Sequence, residues 1–136
     1  MGRWRDGTGI LRIGTLSVPL EVAASYRART RGLLGRGGVT GALLLSPAAS
    51  VHTFRMRFAI DVAHLDRNLR VLSLVTMAPG RLGLPRPRAR HVLEAEAGAL
   101  AGWGLRVGDT VGVDIAGVDA SGVDTSGLGT HQPDKL

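Results

Sequence analysis

The sequence predicts a mainly-β fold: a compact jelly-roll-like β-sandwich or partly open barrel with two short helices. Three observations predict it. Leu16–Ala23 alternates Leu16, Val18, Leu20 and Val22 with Ser17, Pro19 and Glu21, the period of a half-buried strand. Its short apolar runs are broken by turn-forming residues, with 20 Gly and 6 Pro in the chain. The stretch 69–77 is apolar on both faces, Val71, Val75 and Met77 on one and Leu72 and Leu74 on the other. Such a strand is expected in the middle of a sandwich or barrel, covered on both sides.

In order along the chain, residues 10–13 and Leu16–Ala23 read as a hairpin about Gly14-Thr15, and Pro19 assigns the second strand to an edge or bulge. Ser25 caps a short helix through Ala28, Thr30 and Leu33, which Gly35, Gly37 and Gly38 end. Residues 41–46 form the next strand. Residues 48–59 lack a clean period and mix polar with aromatic groups, as a functional loop does. Ile60–Leu65 pairs with residues 69–77 across Asp66-Arg67-Asn68, with Asn68 suited to left-handed geometry. A Pro/Gly/Arg loop over 79–90 leads to a strand over 91–95 and a short helix over 97–103, closed by Gly104. The turn Val107-Gly108-Asp109 then opens a last strand over 110–115, with Val111, Val113 and Ile115 inward. Residues 117–126 hold two copies of a five-residue pattern, Gly117-Val118-Asp119-Ala120-Ser121 and Gly122-Val123-Asp124-Thr125-Ser126. The expected organisation is one domain over 1–116 and a disordered acidic tail over 117–136.

A chain of 136 residues and 14.2 kDa buries about two-thirds of its surface, enough for one core. That excludes a two-lobed cofactor enzyme. With no cysteine there is no disulfide framework, thiolate zinc site or cysteine nucleophile. The net charge of +6 invites a nucleic-acid reading. However, Lys135 is the only lysine, and the arginine excess, with abundant Ala, Gly, Val and Leu, reads as the codon bias of a GC-rich genome. The arginine loop at Arg81, Arg86, Arg88 and Arg90 could still clamp RNA or an acidic partner. Two Phe, one Tyr and two Trp supply no stacking platform for single strands. No run is long enough to cross a bilayer, and residues 1–7 lack the apolar core of a signal peptide. A cytoplasmic protein without membrane insertion is expected.

Several segments resemble a known family. Arg31-Gly32-Leu33-Leu34-Gly35-Arg36 resembles an "RGLMGR" helix end, and Gly41-Ala42-Leu43-Leu44-Leu45 the strand after it. Residues 52–66 are similar to a central motif "HTxGMRFPIDVxFLD". Val92-Leu93-Glu94 and Gly108-Asp109 match a later "VLE" and "GD". Together these segments resemble a small prokaryotic family known only as domain of unknown function 192, in order and spacing over roughly residues 15 to 116. The resemblance implies a mainly-β, jelly-roll-like architecture and no established activity. Three positions depart from it: Arg55 for a glycine, Ala59 for a proline and His64 for an aromatic. A glycine at position 55 implies a special backbone angle or a close approach, which arginine would strain or recharge.

Candidate chemistry gathers between His52 and Asp61, with Glu94 as the outside contributor. Four ligand-binding residues are expected: His52, Arg57, Asp61 and Glu94. Arg57 could hold a carboxylate or phosphate through its planar fork, pinned by Asp61, with His52 as a second donor. The alternative makes Arg57, Asp61 and Glu94 an internal polar latch that binds nothing. His64, on an apolar strand face, reads as a core residue, and Asp109 as a turn residue. His52, Asp61, His64, Asp66, His91 and Glu94 include metal-ligand types, but no HxH or HxxxH spacing, so no metal is expected. No GxSxG, GxGxxG or GK[ST] pattern occurs, and no cofactor is expected. The function these residues support is a non-enzymatic binding or accessory module for a small anionic ligand or a protein partner, its oligomeric state open. The alternatives are a small acid/base enzyme using His52 with Asp61 or Glu94, and non-specific nucleic-acid binding through the arginine loops.

Overall fold

Seven strands share one hydrogen-bonded mixed sheet in a computed structural model that describes residues 4–25, 28–29 and 40–115. They are β1 (Gly7–Ile13), β2 (Leu16–Ala23), β3 (Ala42–Leu45), β4 (Ile60–Leu65), β5 (Val71–Met77), β6 (His91–Glu96) and β7 (Gly112–Ile115). One short helix, α1 (Ala99–Gly102), follows β6. The sheet order is β5-β4-β6-β3-β2-β1-β7, antiparallel throughout except for the parallel pair β2 and β3.

The expected hairpin forms β1 and β2, with Gly14 in the left-handed region at φ 60°. Val18, Leu20 and Val22 are buried, while Leu16 is exposed. Ser25 caps as expected: its Oγ accepts from the Ala28 amide at 3.0 Å. Asp6 fixes that corner, accepting from the amides of Ala24 and Ser25 and from Ser25 Oγ. Only Ala28 and Arg29 of the expected first helix lie among the described residues, and both are helical. The expected tail over 117–136 lies outside them.

The mainly-β class is observed, but the ladders show one mixed sheet, and it does not close. The two-sheet jelly roll is therefore not what the hydrogen bonds draw. The two edges of the sheet are nevertheless tied at one corner. The Val71 amide donates to the Asp109 carbonyl, the Gly108 amide to Val71 and the Val111 amide to Leu69.

Three local expectations are corrected. First, β2 is an interior strand despite Pro19. A Cβ added at Gly41 would lie 2.3 Å from the Pro19 carbonyl oxygen, so that carbonyl faces the β3 side. The missing N–H faces the same way, at a level where β3 has not begun: pairing starts at Leu20 with Ala42. Second, β5 is an edge strand, with Val75 exposed. A register irregularity between His64 and Leu65 puts Val71 on the same face as Leu74, in the curled core, while Met77 lies in the other core, so both faces are covered although the strand is at the edge. Third, the left-handed residue of the β4–β5 turn is Leu69, φ 65°, not Asn68. Asp66 Oδ1 accepts from the Asn68 and Arg70 amides and closes the turn around it.

Alternation sorts the apolar residues into two cores. One face buries Leu11, Val18, Leu20 and Val22, then Leu44, Leu65, Val71 and Leu93, with Leu100 of α1 and Leu105 packed among them. Members from both ends of the strand order share this cluster, so the sheet curls around it. The other face buries Leu43, Leu45, Ile60, Val62, Met77 and Val92 under Met56, with Ala48, Val51 and Phe58 packed against them.

Asp61 joins the first core to its cover. Thr76 Oγ1 on β5 donates to Asp61 Oδ1 at 2.6 Å. The amides of Gly98 and Leu100 donate to Oδ2 at 2.9 and 3.1 Å, capping α1 where Gly98 has no side chain to do so. Asp61→Ala leaves two amides and a hydroxyl without their acceptor. A loss of about 2–3 kcal/mol is expected in a denaturant melt; a loss under about 0.5 kcal/mol would show that water replaces the carboxylate.

Candidate functional site

The irregular segment 48–59 is held to the loop after β5 by one threonine and its neighbours. The buried Thr53 donates its amide to the Arg81 carbonyl (2.7 Å) and its Oγ1 to the Ala78 carbonyl (2.6 Å). In return the Arg81 amide donates to Thr53 Oγ1 (2.8 Å), and the Gly80 amide to the Thr53 carbonyl (2.7 Å). His52 bridges Leu82, and the Gly83 amide donates to Val51 (2.8 Å). These bonds lock two loops into one platform.

The platform displays apolar and cationic groups together. Phe54 is 46% exposed, Leu82 69% and Leu84 77%. His52 stacks on Phe54 with ring centroids 5.0 Å apart, and its Nδ1 accepts from the Phe54 amide. Arg55, Arg57 and Arg81 are exposed on the same loops. Arg55 has φ 65°, so the special backbone angle implied by the glycine of the resembled motif is present and is occupied by arginine.

The four expected site residues do not converge. His52 and Arg57 are exposed on the platform, and among the described residues Arg57 forms no ion pair. Asp61 and Glu94 are buried on opposite faces of the sheet. Asp61 lies with Ala63 and Leu65 on the face that carries α1; Glu94 lies opposite Val62 and Leu43 on the other face. The latch of Arg57, Asp61 and Glu94 is therefore not assembled, and neither is an acid/base pair of His52 with either carboxylate.

Glu94 is 3% exposed and has no hydrogen-bond partner among the described residues. Burial pushes its carboxyl up to about 7. On the same face His64, a core residue as expected, pairs its Nδ1 with Ser73 Oγ at 2.9 Å, while its Nε2 is buried without a partner. Burial first, then the Arg86 charge, lowers its pKa. On the opposite face His91 makes a parallel arrangement: Nδ1 to Ser46 Oγ at 2.8 Å, the ring edge-on to Trp4. Burial takes it down to about 4, against the raising influence of Asp66. Asp109 accepts from the Arg106 amide, in the turn role expected of it. Among the described residues no three His, Asp or Glu side chains stand close enough to hold a metal ion, and no helix is long and apolar enough to cross a membrane.

Phe54, Leu82 and the orphaned His64 Nε2 were not legible as site features from the sequence. Phe54 carried the one available signal, an aromatic in an arginine-bearing loop.

The class of protein is a small mixed sheet whose loops lock into a platform and which buries a carboxyl without a hydrogen bond among the described residues. The chain belongs to the DUF192 family, described as "Uncharacterized ACR", whose profile matches residues 9–113. It is 33% identical to a UPF0127 protein of Pyrococcus horikoshii over 84 residues, 58% of this chain and 73% of that one. It is 32% identical to a UPF0127 protein of Thermococcus gammatolerans over 102 residues, 71% of this chain and 67% of that one. A crystal structure of a protein of unknown function from Novosphingobium aromaticivorans matches with TM-score 0.65 and 19% identity, over 76% of this chain and 82% of that one. A second, from Sinorhizobium meliloti and provisionally assigned as a transcription regulator, matches with TM-score 0.66 and 15% identity, over 83% and 97%. Both share the fold. The relatives are uncharacterised, and nothing among them shows an enzymatic or nucleic-acid function.

Two stability measurements check this geometry. Left-handed geometry costs a non-glycine residue about 1–2 kcal/mol, and glycine returns about 0.5–1 kcal/mol of that as chain entropy. Arg55→Gly should therefore stabilise by up to about 1 kcal/mol in a urea melt; destabilisation would mean that the arginine side chain holds the loop. Glu94 keeps its proton to about pH 7 when folded, against an ordinary value of 4.5. Between those values the unfolded chain binds fewer protons, so stability falls as pH rises, by about 3 kcal/mol in all. Glu94→Gln should flatten that slope, and an identical slope in both proteins would place Glu94's titration elsewhere.

Proposed function

We propose that this protein is a non-enzymatic binding module whose loop platform docks an acidic, apolar-bearing segment of a protein partner. The observation that carries this reading is that Phe54 and Leu82 are exposed on two loops locked together by Thr53, and that the same loops carry the exposed Arg55, Arg57 and Arg81. Rigid loops lose little entropy on binding, and an exposed aromatic beside arginines has the composition of an interface hot spot. Arg57 takes a partner carboxylate through its fork, and the stacked His52–Phe54 pair supplies a flat apolar contact.

The curled sheet supports this role by fixing the loop bases: β4 starts, and β5 ends, at the platform. A location in the cytoplasm and a domain over 1–116 belong to this reading. So does the partly open barrel, which the corner bonds between Val71 and residues 108–109 support. Non-specific nucleic-acid binding is disfavoured because the platform arginines are few and interleaved with aliphatic side chains.

A fluorescein-labelled peptide of Glu and Leu residues is a direct probe. Its affinity for the protein should fall with added salt, and drop about fivefold or more in Phe54→Ser and in Arg57→Ala, with the melting temperature unchanged. Affinity unaffected by either substitution, or equal affinity for a single-stranded oligonucleotide, would contradict the proposal.

A further inference from the structure

On the sheet face covered by residues 48–59, the His64 Nε2 nitrogen is buried without a partner and the Glu94 carboxyl makes no hydrogen bond among the described residues. Val62 lies opposite Glu94 and His64 opposite Val92, so His64 and Glu94 are diagonal neighbours on adjacent strands and share a face. Diagonal positions stand about 7–8 Å apart, within reach of long and aromatic side chains. Each residue is 3% exposed. Glu94 has no hydrogen-bond partner among the described residues, and His64 Nε2 is a buried nitrogen without one. Apolar residues surround them: Leu43 and Val62 flank Glu94, Val92 lies beside both, and Met56 belongs to the same cluster.

We propose that His64 Nε2 and the Glu94 carboxylate form an interior site for the ammonium head of a small primary alkylamine. Buried polar groups are ordinarily paired, so the orphaned His64 Nε2, with the Glu94 carboxyl diagonal to it and without a hydrogen bond among the described residues, marks a place where a complement belongs. An ammonium has three donors and no acceptor, and both groups can act as acceptors towards it. The imidazole does so by carrying its proton on Nδ1, where Ser73 Oγ receives it. The apolar walls suit a short alkyl chain. Among the described residues, the charged and titratable groups bearing on the site are these. Arg86 acts on His64, Glu21 lies beyond Leu43 on the same row, and Glu96 lies two residues along β6. Glu96 is exposed and Glu21 partly so. The Glu94 carboxyl is mostly protonated below neutral pH, so binding there releases its proton to solvent as the ammonium takes its place. No other bond changes. The exposed groups of the platform, Phe54, Leu82 and the arginines, form no part of this interior site.

Calorimetric titration of the full chain with n-propylamine, n-propanol and propionate tests it. Propylamine should bind and the two others should not. At pH 6 one proton should be released per amine, read from the change in heat between buffers of different ionisation enthalpy. Glu94→Gln should weaken the amine by tenfold or more and abolish proton release, and His64→Gln should weaken it as an independent check. Each variant should still bind the Glu/Leu peptide, which separates failure of this site from failure of the platform. The proposal is overturned if propanol or propionate binds as tightly as the amine, if Glu94→Gln leaves amine affinity unchanged, or if the amine gives no binding heat up to about 50 mM.

Discussion

The Asp61 carboxylate accepts from Thr76 on β5 with one oxygen and from the Gly98 and Leu100 amides with the other. An edge strand, its neighbour and helix α1 thereby meet at one buried group. A four-residue helix cannot sustain itself in water, because nucleation fixes several residues for each hydrogen bond gained. Here an acceptor from another element stands in for the missing cap, and Leu100 is pressed into the core below. With that end covered, β4 can hold its register against both β5 and β6, and that register decides which face every later residue takes.

Strict alternation along β4 and β6 separates the two carboxylates that the sequence groups together. Asp61 is satisfied on the curled face, and Glu94 is left without a donor on the other. The difference in chemistry follows from this. A carboxylate with three donors is a structural anchor, whereas one surrounded by Val62 and Leu43 keeps its proton towards neutrality. The platform is built by a different device, the threonine that threads its amide, hydroxyl and carbonyl between two loops. It turns irregular chain into a rigid display without adding a strand.

Much of the fold was legible in the sequence. The β1–β2 hairpin, β4, β6, the Ser25 cap and the Gly104 helix end follow from period, cap and turn chemistry. Pro19 misleads because a proline rule concerns the edge its own N–H faces, and the late start of β3 is a tertiary fact. The stretch 69–77 misleads only in position: its two apolar faces are covered by the two cores, but cover on both faces does not make a strand central, and β5 lies at the edge. The candidate site was legible as a segment and illegible as a geometry. His52, Arg57 and Asp61 lie within ten residues, yet one strand boundary at Ile60 puts the first two outside and the third inside. Arg55 was the exception: the implied backbone angle is there at φ 65°.

Asp61 and Glu94, although on adjacent strands, belong to independent structures. A double-mutant cycle measures this directly. Stabilities of Asp61→Asn, Glu94→Gln, Thr76→Val and the two doubles containing Asp61→Asn would be taken from denaturant melts at pH 6. Coupling of about 1 kcal/mol is expected between Asp61 and Thr76, and of less than about 0.5 kcal/mol between Asp61 and Glu94. Coupling of about 1 kcal/mol or more between the two carboxylates would contradict it, since they would then share one network across the sheet.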